Sequence, residues 1–199
     1  LYLSPIRALL NNQEERVRSY AATLGRRVFK WHGDVSATVR KRFLQEPTDI
    51  LLTTPESLEA MLMSPKVSAR SLFGGLQAVI IDEVHAFAGT DRGAHLMSVL
   101  ERIAAISRHD VQRIGLSATI GNPEQIGRWI AGTSKRRSVV VDPPRPKAQR
   151  LIKVYLREDS SDFAREAVRE GRGKKSLFFC QSRSLTEAVA DDMRDDSIE

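Results

Sequence analysis

Short apolar runs alternate with amphipathic stretches along residues 1–141. The apolar runs have the length of buried strands, and the stretches between them repeat apolar residues at the three-to-four-residue spacing of helices. This alternation is typical of βαβ units, in which helices cover both faces of a parallel sheet. The predicted strands are Leu1–Leu3, Val28–Trp31, Asp49–Thr53, Gln77–Ile81, Arg113–Leu116 and Ser138–Val141.

A proline-rich stretch at residues 143–150 interrupts this pattern. Proline cannot donate a ladder hydrogen bond, so the stretch predicts a linker and not a central strand. Beyond it, two further apolar runs, Leu151–Leu156 and Ser176–Cys180, alternate with helical patterns. Two strands are too few for a stable sheet. We therefore predict one domain over residues 1–142 and the beginning of a second domain over residues 151–199.

Polar residues follow four of the predicted strands. Ligands of open parallel sheets bind beyond the carboxyl ends of the strands, so these residues mark one candidate site. They are Ser4-Pro5, Thr54-Pro55, Asp82-Glu83 and Ser117-Ala118-Thr119.

Ser4-Pro5 and Thr54-Pro55 share one construction, a hydroxyl residue at the N-cap and a proline at the first helical position. Such a helix start offers free backbone N–H groups and the positive end of the helix dipole, which suit a phosphate. Each pair is equally compatible with a helix start that binds nothing.

Asp82 and Glu83 end a continuous apolar strand. Alternation along the strand predicts that they point to opposite sides, so that one carboxylate reaches a metal and the other faces a water. Mg²⁺ prefers carboxylate and phosphate oxygens and keeps several waters. In nucleotide hydrolysis, one acid at such a position holds the ion and its neighbour orients or deprotonates the attacking water. An acid pair past a strand end is also common on protein surfaces.

Charge and cysteine content narrow the function classes. The chain has 31 lysines and arginines against 25 acids, a formal charge of +6, which favours a polyanionic partner such as DNA or RNA. No apolar stretch is long enough to cross a bilayer, so no membrane partner is predicted. Cys180 is the only cysteine, which excludes an internal disulfide and suits the cytoplasm.

These residues, in this order, resemble the conserved motifs of the superfamily 2 DExH helicases. The tetrad Asp82-Glu83-Val84-His85 is similar to motif II and is the most specific of them. Gly33-Asp34 and the stretch from Asp82 to Leu96 are similar to the large-helicase-related (Lhr-type) branch. The other matches are Ser4 to Leu9 with motif Ia, Thr53 to Leu58 with motif Ib, Ser117–Thr119 with motif III and Ser176 to Arg183 with motif IV.

The resemblance implies a RecA-like first lobe, the start of a second RecA-like lobe, and hydrolysis of ATP with Mg²⁺. Asp82 would hold Mg²⁺ through water, and Glu83 would activate the attacking water. The likeness favours DNA over RNA as the strand that the motor follows. Coupling of the nucleotide to that strand would involve His85, Ser117 and Thr119, and contacts with its phosphates would involve Pro5, Arg7, Thr54, Pro55, Ser182 and Arg183.

A P-loop is missing from the pattern. The nearest candidate, Gly171 to Ser176, has Lys175 where serine or threonine belongs and precedes a predicted strand instead of following one. We expect the P-loop upstream of residue 1 and the rest of the second lobe downstream, on the same polypeptide, so the 199-residue piece alone is predicted to be inactive. Two alternatives stay open: a non-catalytic nucleic-acid-binding module, and a duplex translocase of a restriction or defence complex.

Overall fold

The computed structural model describes residues 1–118, 120–143, 151–154, 156, 160–171, 173 and 175–195. The chain divides into two compact units, Leu1–Pro143 and Pro144–Glu199. Thr119 and residues 144–150, most of the predicted linker, lie outside the described residues.

The first unit contains a five-stranded sheet in which every neighbouring pair of strands is parallel. The order across the sheet is β2-β3-β1-β4-β5. The predicted parallel α/β sheet is confirmed. The strands are β1 Tyr2–Leu3, β2 Val28–Trp31, β3 Ile50–Thr53, β4 Ala78–Ile81 and β5 Gln112–Gly115.

At least one helix lies between each strand and the next along the chain, as in βαβ units. A 3-10 turn at Val84–Ala86 follows β4. The helices of the first unit are α1 Arg7–Thr23, α2 Ala37–Gln45, α3 Pro55–Met63, α4 Ala69–Phe73, α5 Asp91–Ile106 and α6 Pro123–Ala131.

Two hydrophobic clusters cover the two faces of the sheet. On one face α1 packs Leu10 and Ala21 against Tyr2 and Leu52 of the central strands. On the other face α2 to α6 pack against the alternate strand residues, such as Leu3 and the other members of a larger cluster. The period-two alternation of strand side chains explains this division, because neighbouring residues of one strand enter different clusters.

Helix α5 lies very close to the turn after β4. A Cβ atom on Gly93 would come within 2.0 Å of the Phe87 carbonyl oxygen and 3.1 Å of the Trp129 ring. The backbone of Phe87 can approach α5 this closely only because position 93 has no side chain.

The two predicted serine/threonine-proline helix starts differ. Thr54 is the N-cap of α3, accepts a hydrogen bond from the Ser57 N–H and is followed by Pro55, as predicted. The prediction for Ser4 is wrong, because α1 begins at Arg7 after an extended Ile6. Ser4 is instead buried and continues the sheet, since its N–H donates to the Thr53 carbonyl at 3.2 Å.

The last predicted strand of the first domain, Ser138–Val141, is also wrong. These residues form no strand, and Val141 is 83% exposed. A strand requires hydrogen bonds from a neighbour, and the only strand paired with β5 is β4 in the described part of the chain.

The second unit contains α7, Ser160–Gly171, and α8, Arg183–Asp195. Neither predicted strand, Leu151–Leu156 or Ser176–Cys180, forms among the described residues of this unit. The prediction of these two strands is therefore wrong for the described residues, and Leu177 and Phe179 are largely exposed. That this unit begins a second lobe stays a prediction.

Candidate functional site

The carboxyl ends of all five strands lie at one edge of the sheet because the strands are parallel. The sheet order places the end of β1 between the ends of β3 and β4, with β5 next to β4. Ser4, Thr54, Asp82 and Ser117 therefore line one edge, in the arrangement that the sequence predicts.

Asp82 follows β4 and has a protein donor on each carboxylate oxygen. The Tyr2 hydroxyl donates to Oδ2 at 2.6 Å, and the Glu83 N–H donates to Oδ1 at 3.0 Å. Burial, followed by the hydrogen bond and the charge of Asp82, raises the pKa of Tyr2 well above its usual value. The phenol is therefore protonated at neutral pH and acts as the donor.

Glu83 has a left-handed backbone, with φ 49° and ψ 47°. This region is sparsely populated by residues other than glycine, and occupied examples cluster at functional sites. The strand ends at Ile81, so the predicted alternation of Asp82 and Glu83 is replaced by a sharp turn. After the turn, the Val84 N–H donates to the Leu116 carbonyl at 2.9 Å, which ties the chain to the exit of β5.

The Glu83 carboxylate has an unsatisfied oxygen. Its Oε2 is buried and accepts no hydrogen bond from the described residues. His85 Nδ1 lies 3.3 Å from it, which is an ion pair only when the imidazole is protonated. A buried acceptor without a donor is rare in proteins.

His85 connects the turn after β4 to the end of β5. Its Nδ1 lies 2.8 Å from Ser117 Oγ, and the donor depends on the tautomer. The structure thus brings together two of the three predicted coupling residues. Thr119, the third, lies outside the described residues.

Four of the six predicted strand-contacting residues lie near the ends of β1 and β3 in the first unit. Pro5 and Pro55 are buried, and the hydroxyl of Thr54 is engaged with Ser57, 3.2 Å from Ser57 Oγ. Arg7 is more than half exposed and pairs with both carboxylate oxygens of Asp34, at 3.0 and 3.1 Å. Arg7 thus provides an exposed guanidinium group near the end of β1.

Ser182 and Arg183 belong to the second unit and are described within it. Ser182 caps α8, since its Oγ accepts from the Leu185 N–H at 3.1 Å, and Arg183 is the first residue of that helix. Both are exposed.

Arg92 is a contact at this edge that sequence reasoning did not identify as functional. Its Nη2 donates to the Pro5 carbonyl at 2.8 Å, and its guanidinium pairs with Glu56 Oε1 at 2.6 and 2.8 Å. One arginine of α5 therefore fixes the exit of β1 against the first turn of α3. Its place in the Lhr-like stretch was the only signal in the sequence.

The acid pair fits Mg²⁺ held together with a nucleotide better than Mg²⁺ held by protein alone. Among the side chains that the structure describes, no three His, Cys, Asp or Glu residues gather around a point where an ion could sit. Mg²⁺ commonly uses one or two carboxylates, substrate phosphates and waters. Asp82 supplies one carboxylate for such a set.

Comparison with known proteins finds relatives along nearly the whole chain. The model of the DEAD/DEAH box helicase family matches residues 1–126. Lhr helicase/uracil glycosylase of Escherichia coli K12 is 36% identical over 95% of this chain. The ATP-dependent helicase Lhr-Core of Methanothermobacter thermautotrophicus is 37% identical over 71% of it. The chain spans only 14% and 18% of these two proteins.

Solved structures give the same picture. Mycobacterium smegmatis helicase Lhr bound to ssDNA and AMP-PNP superposes on 98% of this chain with a TM-score of 0.77 and 32% identity. The DUF1998 helicase MrfA bound to DNA and AMPPNP superposes on 98% with a TM-score of 0.75 and 25% identity. This chain covers 28% and 29% of those chains. None of the described helices combines the length and apolar composition needed to cross a bilayer.

Proposed function

Because this chain belongs to the DEAD/DEAH box helicase family and resembles its Lhr members, we propose that it forms part of an ATP-driven motor that moves along a nucleic-acid strand. The activity is that of the full-length protein. The P-loop that grips the phosphates and the remainder of the second lobe would come from further segments of the same polypeptide.

The observation that carries the proposal is the acid pair at the end of β4. Glu83 is held in a left-handed turn with a buried oxygen that lacks a donor. A general base needs a free acceptor within reach of the proton that it removes. The Glu83 side chain is 35% exposed, so a water can reach its carboxylate, and we assign to this carboxylate the proton of the attacking water.

Asp82 would hold Mg²⁺ through a bound water, with the orientation set by its two protein donors. The ion, when bound with ATP, neutralises charge on the β- and γ-phosphates. His85 and Ser117, 2.8 Å apart, link the two strand ends of the site and would transmit the state of the nucleotide. Thr119 has the same role by resemblance alone.

The nucleic-acid strand would lie along the ends of β1 and β3. Exposed Arg7 supplies a cation, and the loops at Pro5 and Thr54-Pro55 supply the backbone that a strand follows. Ser182 and Arg183 at the start of α8 would provide phosphate contacts from the second unit. DNA is the favoured strand, because the two similar solved helicases contain DNA.

The test compares three full-length proteins: wild type, Glu83→Gln and the control Glu15→Gln, an exposed glutamate of α1. We expect ATP hydrolysis stimulated by single-stranded DNA in the wild type and in the control. Glu83→Gln should lower kcat at least about 100-fold, the lower range for loss of a general base. Binding of ATP and of the strand should persist.

Each alternative has its own result. Equal nucleotide hydrolysis by wild type and Glu83→Gln, or none by either, would contradict the motor and support a non-catalytic binding module. Translocation on blunt duplex without displacement of a forked strand would support a duplex translocase. Parallel titrations with single-stranded DNA and RNA decide which strand is bound.

A further inference from the structure

Tyr2 and Asp82 lie on adjacent strands and face the same side of the sheet. In the parallel pairing of β1 with β4, Tyr2 is opposite Ile80. The pairing continues one residue past β4, because the Asp82 N–H donates to the Leu3 carbonyl at 2.8 Å before the chain turns at Glu83. Side chains two residues apart in an extended strand share a face. The phenol of Tyr2 therefore extends toward the carboxylate that follows β4.

The contact between them has the geometry of a charge-assisted hydrogen bond. Tyr2 is 8% exposed, and its hydroxyl lies 2.6 Å from Asp82 Oδ2. Bonds of this length between a hydroxyl and a carboxylate are among the strong ones in proteins.

The orientation of the Asp82 carboxylate depends on this bond. The χ2 torsion angle of aspartate has a broad distribution, so a carboxylate group that is held at only one oxygen can still rotate. The Glu83 N–H holds Oδ1, and the Tyr2 hydroxyl holds Oδ2. Removing the hydroxyl leaves one donor and releases the rotation.

We propose that Tyr2 is a positioning residue that orients Asp82 toward the water shell of the nucleotide-bound Mg²⁺. This inference rests on the proposed function. Mg²⁺ tolerates little deviation from octahedral geometry, so a turned carboxylate fits its waters poorly. Tyr2 acts only through Asp82 and needs no contact with the nucleotide.

The experiment uses the full-length protein with Tyr2→Phe and the control Tyr20→Phe, an exposed tyrosine of α1. The readout is the Mg²⁺ concentration that half-saturates binding of a non-hydrolysable ATP analogue. We expect Tyr2→Phe to raise it about tenfold, the lower end for loss of a group that supports a metal ligand. Tyr20→Phe, and strand binding without nucleotide, should match the wild type.

Asp82→Asn, alone and combined with Tyr2→Phe, distinguishes failure of the positioning role from failure of the proposed function. If Tyr2 acts through Asp82, Tyr2→Phe adds nothing to the Mg²⁺ dependence of Asp82→Asn. An unchanged Mg²⁺ dependence in Tyr2→Phe, together with a shifted one in Asp82→Asn, would overturn the positioning role alone. An unchanged dependence in Asp82→Asn would overturn the proposed function itself.

Folding is controlled within the same experiment. Phenylalanine retains the ring that packs against α1, and thermal unfolding of each variant sets a temperature at which all are folded. A purely structural role would lower that midpoint without moving the Mg²⁺ dependence, and this result also counts against the proposal.

Discussion

Replacing Arg92 by methionine tests whether the exit of β1 and the start of α3 must be held together for strand binding. The guanidinium contributes one hydrogen bond to the part-buried Pro5 carbonyl and a pair with half-exposed Glu56. A hydrogen bond from a charged group is worth about 1.5–3 kcal/mol. The exposed ion pair adds about 0.2–1 kcal/mol.

The expected effect follows from where this energy acts. Arg92 fixes the loop between Pro5 and Arg7 against α3, and both elements carry predicted strand contacts. We expect Arg92→Met to weaken binding of single-stranded DNA about tenfold, which corresponds to ~1.4 kcal/mol. Arg92→Lys should give an intermediate loss, because an ammonium group cannot reproduce the guanidinium fork. Fluorescence anisotropy of a labelled oligonucleotide with the full-length protein measures the affinity.

Arg102 offers a matched control on the same two helices. It pairs with both carboxylate oxygens of Glu59 at 2.7 and 2.8 Å, and so also joins α5 to α3. No contact joins it to Pro5 among the hydrogen bonds of the described residues. Arg102→Met should cost about 1 kcal/mol of stability and leave DNA affinity unchanged. Equal weakening by both variants, or by neither, would refute the reasoning.

Two further predictions concern stability. Gly93→Ala should destabilise the protein by about 3 kcal/mol, the upper part of the usual range for overpacking, because the new Cβ would meet the Phe87 carbonyl. Gly121→Ala, which enters open space, should unfold at the wild-type temperature, and equal midpoints for both variants would contradict the steric explanation. Partial burial raises the pKa of Glu101. Hydrogen bonds from Arg113 and Thr133 lower this pKa by more, so that it lies below the ordinary value of 4.5. This carboxylate therefore stabilises the fold fully above pH 4.5 and progressively less as pH falls below it. Unfolding midpoints measured from pH 7 to pH 3 should fall less steeply in Glu101→Gln, and parallel curves would exclude this contribution.

The edge of the sheet that carries the site was predictable from local patterns. Strands β2 and β4 follow from apolar runs, and α3 follows from Thr54-Pro55. In a parallel sheet, the residue after each strand then has to lie at one edge. Asp82 and Ser117 could be placed there without knowing which strands are neighbours.

Predictions from local sequence patterns were wrong where the structure depends on hydrogen bonds to residues distant in the sequence. Ser4 and Thr54 have the same sequence context, but Ser4 continues β1 by pairing with Thr53 instead of capping a helix. Ser138–Val141 has the composition of a strand and forms none in the described structure, because composition does not supply a neighbour.

By itself, the sequence determined the α/β class, most of the strands, the shared edge and the residue types of the acid pair. Only the tertiary structure decided that Tyr2 holds Asp82 across 80 residues and that Arg92 reaches Pro5 across 87. It also decided that Glu83 turns left-handed. The physical reason is that periodicity and capping act within a few residues. Contacts across the sheet depend instead on strand order, and that order places β1 between β3 and β4.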